Sequence, residues 1–375
     1  MSNNHKHVII IGAGAVGASV SYFLSKKNPN LKITVVEKTG VAQAASGKSG
    51  GFLALDWSES TELGPLSSKS FRMHEELAEE LNGESYGYRK VDTYAVTMGS
   101  AADGKKLGEI SWLDTSKVER IQSMGSKKTT AQVHPYYFTN KLIDEAKNRG
   151  VEVLCGQGVK SLVWDSSTNE LTGVILDNDT EIHGDAVVVC MGPWSSTLPM
   201  RSSKSPRGKL PIIAARAHSI VLKPNSEVPA QALFCSIQLN RNFYDPEIYP
   251  RPDSTVYICG ETDDEPLPLS ATKIQIKQSS IATLRQLAAA ASPSHLEGAD
   301  LVAAQACYLP TSKDGLPLIG EHPNSRGVYI ATGHSCWGIL NAPVTGLMLA
   351  ELIDDGQITS VDSATVAAVN PKGRC

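Results

Sequence analysis

The sequence predicts an α/β chain of two lobes. One lobe carries a parallel sheet and is assembled from discontinuous pieces; it is interrupted twice by an α+β lobe made mainly of antiparallel strands. Three observations predict this. A short apolar strand at 8–11 (VIII) runs into a glycine-rich turn, a helical stretch from Ala15 to about Lys26 and a second strand at 33–37, which together make a βαβ start. DAVVVCMG at 185–192 is a continuous apolar run, the pattern of a central parallel strand covered on both faces. From 211 to about 265 the residues alternate in strand fashion, with prolines at the turns. A chain of 375 residues, 41% of them apolar, is long enough for two lobes with a core each.

The other elements follow in order. Residues 70–81 have helical spacing, and the polar stretch 99–108 reads as a loop. Asn140–Asn148 is helical, Gly150 follows as the residue past its C-terminus, and VEVL is the next strand. SLVW (161–164) and GVIL (173–176) read as alternating strands, and 199–209 as a basic, proline-containing linker. Residues 276–291 form a helix; GVYIATG (327–333) is a strand, followed by a long helix from near Pro343 to Gly356. The first lobe then takes 1–85, 132–200 and 311–375, and the second takes 86–131 and 201–310.

Composition narrows the function. A net charge of −4 argues against a general affinity for nucleic acid or anionic lipid. No run comes near the ~18 to 20 apolar residues of a membrane span. The first residues lead straight into a strand without a secretory signal pattern, and the ending NPKGRC is not a peroxisomal address. Seven cysteines without a CxxC read as reduced thiols in a soluble protein, cytoplasmic by default, with no metal site.

Gly12-Ala13-Gly14-Ala15-Val16-Gly17 is a GxGxxG lying between a strand and a helix. Its first glycine allows the tight turn, the second lets backbone approach a pyrophosphate, and the third permits close helix–strand packing. The helix N-terminus offers N–H groups and positive dipole to the phosphates. Glu37, followed by Lys38, ends the next strand twenty residues past Gly17, where an acidic side chain holds a ribose hydroxyl and disfavours NADP. The pattern predicts a dinucleotide and leaves FAD and NAD both open.

Further blocks follow in order: the run Ala45-Ser46-Gly47-Lys48-Ser49-Gly50-Gly51, His134-Pro135 before a helix, DAVVVCMGPWSSTL at 185–198, LPIIAARAHSIVL at 210–222, DGLPLIGE at 314–321 and GVYIATGHSCWGILNAPVTGLMLAELI at 327–353. In this order they resemble the D-amino-acid-oxidase-like superfamily of FAD-dependent oxidoreductases, which includes glycine oxidase, sarcosine oxidase and the fructosyl-amino-acid oxidases. The resemblance implies FAD, a Rossmann-like FAD-binding domain and a discontinuous, mainly antiparallel substrate domain. It extends the cofactor contacts to the 45–51 run, Val159, Gly192, Trp194, Gly315, Gly333, His334, Gly338 and Ile339. A helix N-terminus near 338 would set positive dipole at the flavin N1–C2=O edge.

The resemblance also implies the chemistry: hydride passes from the carbon of a neutral amine to flavin N5, and the imine hydrolyses. Oxygen, or an unidentified acceptor, takes the electrons, with hydrogen peroxide as the product of oxygen. Two positions depart from the relatives. The arginine that grips a substrate carboxylate is replaced by Leu309, and the lysine past the GH motif by Leu340. A simple α-amino acid bound in the usual way is then not expected, and Arg216, His218, Arg241 and Arg251 are the replacement cations, with Arg216 and His218 preferred. Lys48 is a candidate for assisting oxygen reduction; His334 and Trp337 for lining the substrate pocket, with Tyr249 and Tyr257 in its wall. Cys307 lies seven residues before Asp314, as does the cysteine bonded to flavin in sarcosine oxidase, although a buried strand thiol and non-covalent FAD are the preferred reading. A same-fold dehydrogenase, a flavoprotein with a trafficking or scaffold role and an NAD enzyme are the rival readings.

Overall fold

A computed structural model describes residues 6–99, 110–168, 170–200 and 208–375. Residues 100–108 of the polar stretch and 201–207 of the linker lie outside the described residues.

The first lobe is built on a six-stranded sheet in the order Leu318–Glu321, Val328–Thr332, Ala186–Val189, His7–Ile11, Lys32–Glu37 and Glu152–Cys155. All neighbours are parallel except the first two strands, which form an antiparallel hairpin. Ile9 stands opposite Val187 on one side and Thr34 on the other. Both faces of the central strand are covered. Val8 and Ile10 pack against the helices Ala15–Lys27, Pro135–Asn148 and Gly338–Asp355, while Ile9 and Ile11 pack against the antiparallel strands Val159–Trp164 and Leu171–Leu176. That double burial is why the run 185–192 reads as uniformly apolar.

The second lobe is an eight-stranded sheet. Its main path runs Asp300–Ser312, Ile212–Lys223, Val256–Asp263, Glu247–Pro250, Gln231–Leu239, Asp92–Met98 and Val118–Gly125, with Asn242–Tyr244 beside the fifth. Only Gln231–Leu239 and Asp92–Met98 run parallel. Side chains alternate between the two faces, as a pleated strand requires. Ile220, Leu222, Leu233, Val256 and Ile258 face the helix Gln278–Ala291, whereas Val221, Tyr249, Tyr257 and Phe234 face Phe52, Ala54 and Trp337 of the first lobe. The site is built where this lobe meets the first sheet.

Three helices begin earlier than their spacing predicts: Gly64 rather than 70, Pro135 rather than Asn140, and Gly338 rather than Pro343. The last difference has a clear cause. Pro343 lies inside the helix, where it cannot donate to the carbonyl of Ile339, a loss that normally breaks a helix. Here the buried His74 places Nε2 3.0 Å from Ile339 O and 3.2 Å from Leu340 O, and Ser70 Oγ donates to Leu340 O while accepting from Val344 N. A neighbouring helix thus supplies the missing partners. Ser335–Asp355, which contains this helix, is also, among the described residues, long and apolar enough to cross a membrane, against the expectation that nothing comes near. It is mostly buried inside the lobe, packed on Ala15–Lys27 and Gly64–Leu81, as a core helix is.

Candidate active site

The strand His7–Ile11 delivers the chain to Gly12, whose φ is +106°. A Cβ there would lie 2.4 Å from the carbonyl oxygen of Cys190, so only glycine lets the two parallel strand ends approach this closely. The first intrahelical bond runs from Ala18 N to Gly14 O, which leaves the first-turn amides pointing out of the helix end. One of them, Ala15 N, donates to Ser46 Oγ at 2.8 Å. Glu37 closes the floor: Oε2 accepts from Ala13 N at 2.9 Å, and Oε1 accepts from Thr39 N and Oγ1.

From this turn an elongated cleft of about 1360 Å³, counted to its open mouth, runs between the lobes. Gly12, Gly14, Ala15, Val16, Glu37, Lys38, Ala45, Ser46, Ser49, Val159, Gly192, Trp194, His334, Gly338 and Ile339, all sequence candidates, line it. Gly338 and Ile339 open the C-terminal helix, whose positive end is therefore set at the cleft wall. Ser49 Oγ is buried in that wall without a protein partner. The residues fit FAD. Amides and an acidic floor suit the dinucleotide end, Gly14 leaves a backbone cradle that a side chain would fill, and small residues line the far wall.

Other candidates lie behind the lining. Gly17 packs on Gly12, where an added Cβ would stand 2.0 Å from its carbonyl oxygen. Gly47, Gly50 and Gly51 let the chain pass closely over Ala42, the Tyr249 ring and Val133. Gly333 ends its strand, and Gly315 sits in the turn that Arg374 fastens through a two-pronged bond to Asp314. His334, which does line the cleft, is otherwise buried, with Nε2 3.0 Å from Thr345 Oγ1, and burial drives its pKa down to about 4, so it stands neutral. Lys48 is half-buried, donates from Nζ to Ala306 O at 3.2 Å and has its pKa lowered by burial. The adjacent Cys307 is 7% exposed, and burial pushes its thiol up to about 11, which keeps it protonated and unreactive.

Arg216 and His218 stand elsewhere. Arg216 holds Asp263 with two bonds of 2.7 and 2.8 Å and donates to Gln275 O at 3.0 Å; it is 5% exposed. His218 Nε2 accepts from Lys277 N at 3.1 Å, at the start of the helix Gln278–Ala291. The two anchor both ends of the strap 263–277. Trp194 Nε1 and Tyr308 Oη fix its middle through Pro268 O and Pro266 O, and its tip, Leu269–Ala271, lines the cleft. These two side chains therefore position a wall of the cleft and do not line it. Arg241 is exposed on a hairpin; Arg251 is buried, bonded to Ser49 O and set over the Tyr257 ring. Trp337 joins an aromatic cluster with Trp57 and Phe52. Sequence reasoning missed the strap and Trp57, since their partners are remote in the chain.

Comparison with known proteins agrees with this geometry. The family model DAO, described as FAD dependent oxidoreductase, matches residues 7–352. The chain is 33% identical to C1F5.03c of Schizosaccharomyces pombe, which carries the name of an oxidoreductase, over 99% of both chains. It is 26% identical to a glycine oxidase of Geobacillus kaustophilus over 92% of each. A crystal structure of glycine oxidase from Geobacillus kaustophilus superposes with a TM-score of 0.80 at 20% identity, covering 98% of each chain.

Proposed function

This chain belongs to the DAO family of FAD-dependent oxidoreductases, and from that premise we propose that it oxidises the C–N bond of an amine or amino-acid-like substrate. One observation carries the reading: the cleft that begins at the glycine turn runs on between the lobes, walled there by Leu269–Ala271, Leu309 and Pro310 of the second lobe. When bound, FAD supplies the two-electron acceptor: the substrate carbon gives up a hydride, its nitrogen gives up a proton to solvent, and the resulting imine is hydrolysed by water.

The chain's own residues bind, orient and exclude water. Glu37 and the amides at 13–17 hold the dinucleotide end. Ala45, Ser46, Ser49 and the strap tip at 269–271 complete the cleft wall. His334, neutral and buried, is a packing and hydrogen-bonding group rather than an acid. Lys48, one residue before Ser49 of the cleft wall, is the candidate for favouring oxygen as acceptor by stabilising negative charge on it. A cytoplasmic site of action is part of the same proposal, supported by seven cysteines that are all unpaired.

An amine panel offered to the yellow holoprotein tests this. Bleaching of the flavin by at least one amine without oxygen, then peroxide formation on aeration, is the expected result. Bleaching without peroxide transfers the reading to a dehydrogenase with another acceptor; no bleaching by any amine overturns it.

A further inference from the structure

The sheet face turned toward the first lobe is nearly devoid of charge. By register, one row across its strands reads Phe234, Glu247, Cys259, Ser219 and Gln305, and the next reads Tyr249, Tyr257, Val221 and Ala303. Glu247 is the sole ionisable carboxylate in these rows. It is half-buried; Oε2 accepts from Tyr249 Oη at 2.5 Å and lies 3.6 Å from Cys259 Sγ. Among the described residues no lysine, arginine or histidine forms an ion pair with it. The cations nearest this face are spent elsewhere, Lys48 on Ala306 O and Arg251 on Ser49 O.

Aromatic rings stand around that carboxylate. Phe234, its cross-strand neighbour, meets Trp57 edge-on with ring centres 4.8 Å apart, and Trp57 meets Trp337 edge-on at 6.1 Å. Phe52 stacks on Tyr249 at 5.6 Å. Trp57, Trp337 and Phe234 are half-buried, so part of each ring remains open. The group adjoins the cofactor cleft through one neighbour. Cys336, beside Trp337, lines that cleft, and after burial it is the charge of Glu247 that raises its thiol.

A carboxylate without a protein cation, set among rings whose faces carry negative potential, attracts a positive ligand and repels a negative one. Leu309 at the cleft wall offers no charge to a substrate carboxylate. Both features favour a positive ligand over a negative one. We propose that Glu247, Trp57, Trp337 and Phe234 form a cation subsite, and that the substrate is an amine bearing a second, non-reacting cationic nitrogen. This rests on the reading of the cleft as an amine-oxidising FAD site.

The test is a titration of the holoprotein with tetramethylammonium and, in parallel, with benzoate, followed by tryptophan emission and by the flavin absorption band. Tetramethylammonium is expected to give a saturable change in emission and benzoate none. Glu247→Gln, which keeps the bond to Tyr249, is expected to weaken the cation about tenfold or more, and Trp57→Leu about threefold, with flavin content unchanged in both. Tighter binding of benzoate than of tetramethylammonium, or undiminished cation binding by Glu247→Gln, overturns the proposal. The emission signal needs no flavin: cation binding to a protein that takes up no FAD leaves the subsite standing and removes the cofactor reading. A yellow protein blind to the cation does the reverse.

Discussion

Two glycines of the same turn should fail in different ways. At Gly14 the backbone is extended (φ −77°, ψ 179°), so alanine adopts it without strain. Its new Cβ would meet only Ser46 Oγ, at 2.9 Å, and that hydroxyl can rotate away at the cost of its bond to Ala15 N. Losing one such bond costs about 0.5–1.5 kcal/mol. At Gly17 the Cβ would lie 2.0 Å from Gly12 O and 3.1 Å from its carbonyl carbon, both backbone atoms that cannot rotate away. Overpacking of that kind costs typically about 1–3 kcal/mol or more. Gly14→Ala should therefore fold with nearly the wild-type urea midpoint, yet place a methyl group where FAD needs open backbone. An intrusion worth about 1–3 kcal/mol weakens FAD roughly 5- to 150-fold. Gly17→Ala should lose stability first, lowering the midpoint of the apoprotein itself. Urea unfolding of the apoproteins and quenching of flavin fluorescence on titration separate the two effects. Wild-type FAD affinity in Gly14→Ala would refute the assignment of this turn to the cofactor, and an unshifted midpoint in Gly17→Ala would refute the packing argument.

The strap and the C-terminal staple give two more predictions. Arg216→Ala removes both bonds to Asp263 and the one to Gln275 O, so it should cost about 2–3 kcal/mol in urea unfolding and speed the release of FAD past the freed strap; Arg216→Lys should not restore it, because lysine lacks the planar fork. Arg374 holds the Asp314 carboxyl down to about 2. A depressed carboxylate contributes stability above its unfolded value and loses it as pH falls, so the deficit of Asp314→Asn should be constant from about pH 5 to 8, shrink below about pH 4 and vanish near 2. A deficit that persisted in acid would contradict the staple.

Much of the cofactor turn was legible because it is local. Gly12 to Gly17, Glu37 and the strands around them lie within one βαβ unit, where spacing along the chain is spacing in the fold. The C-terminal helix was legible only in part. Pro343 reads as a start because its missing N–H normally ends a helix, and nothing near it in sequence shows that His74 and Ser70 satisfy the freed carbonyls. Arg216 and His218 were singled out as substrate groups because a cation in an apolar strand has no visible partner. Asp263, Gln275 and Lys277 become its partners only when the strap folds back. Glu247 drew no notice, since the rings around it come from four separate segments.

The central claim is that the inter-lobe cleft holds FAD without a covalent bond, and the absorption spectrum of the purified protein before and after acid precipitation tests it most directly. The account predicts flavin bands near ~450 nm and colour that passes into the supernatant, since the buried, protonated thiol of Cys307 is not a nucleophile. Colour retained by the pellet would contradict the reading of Cys307, and a protein still colourless after reconstitution with FAD would contradict the account as a whole.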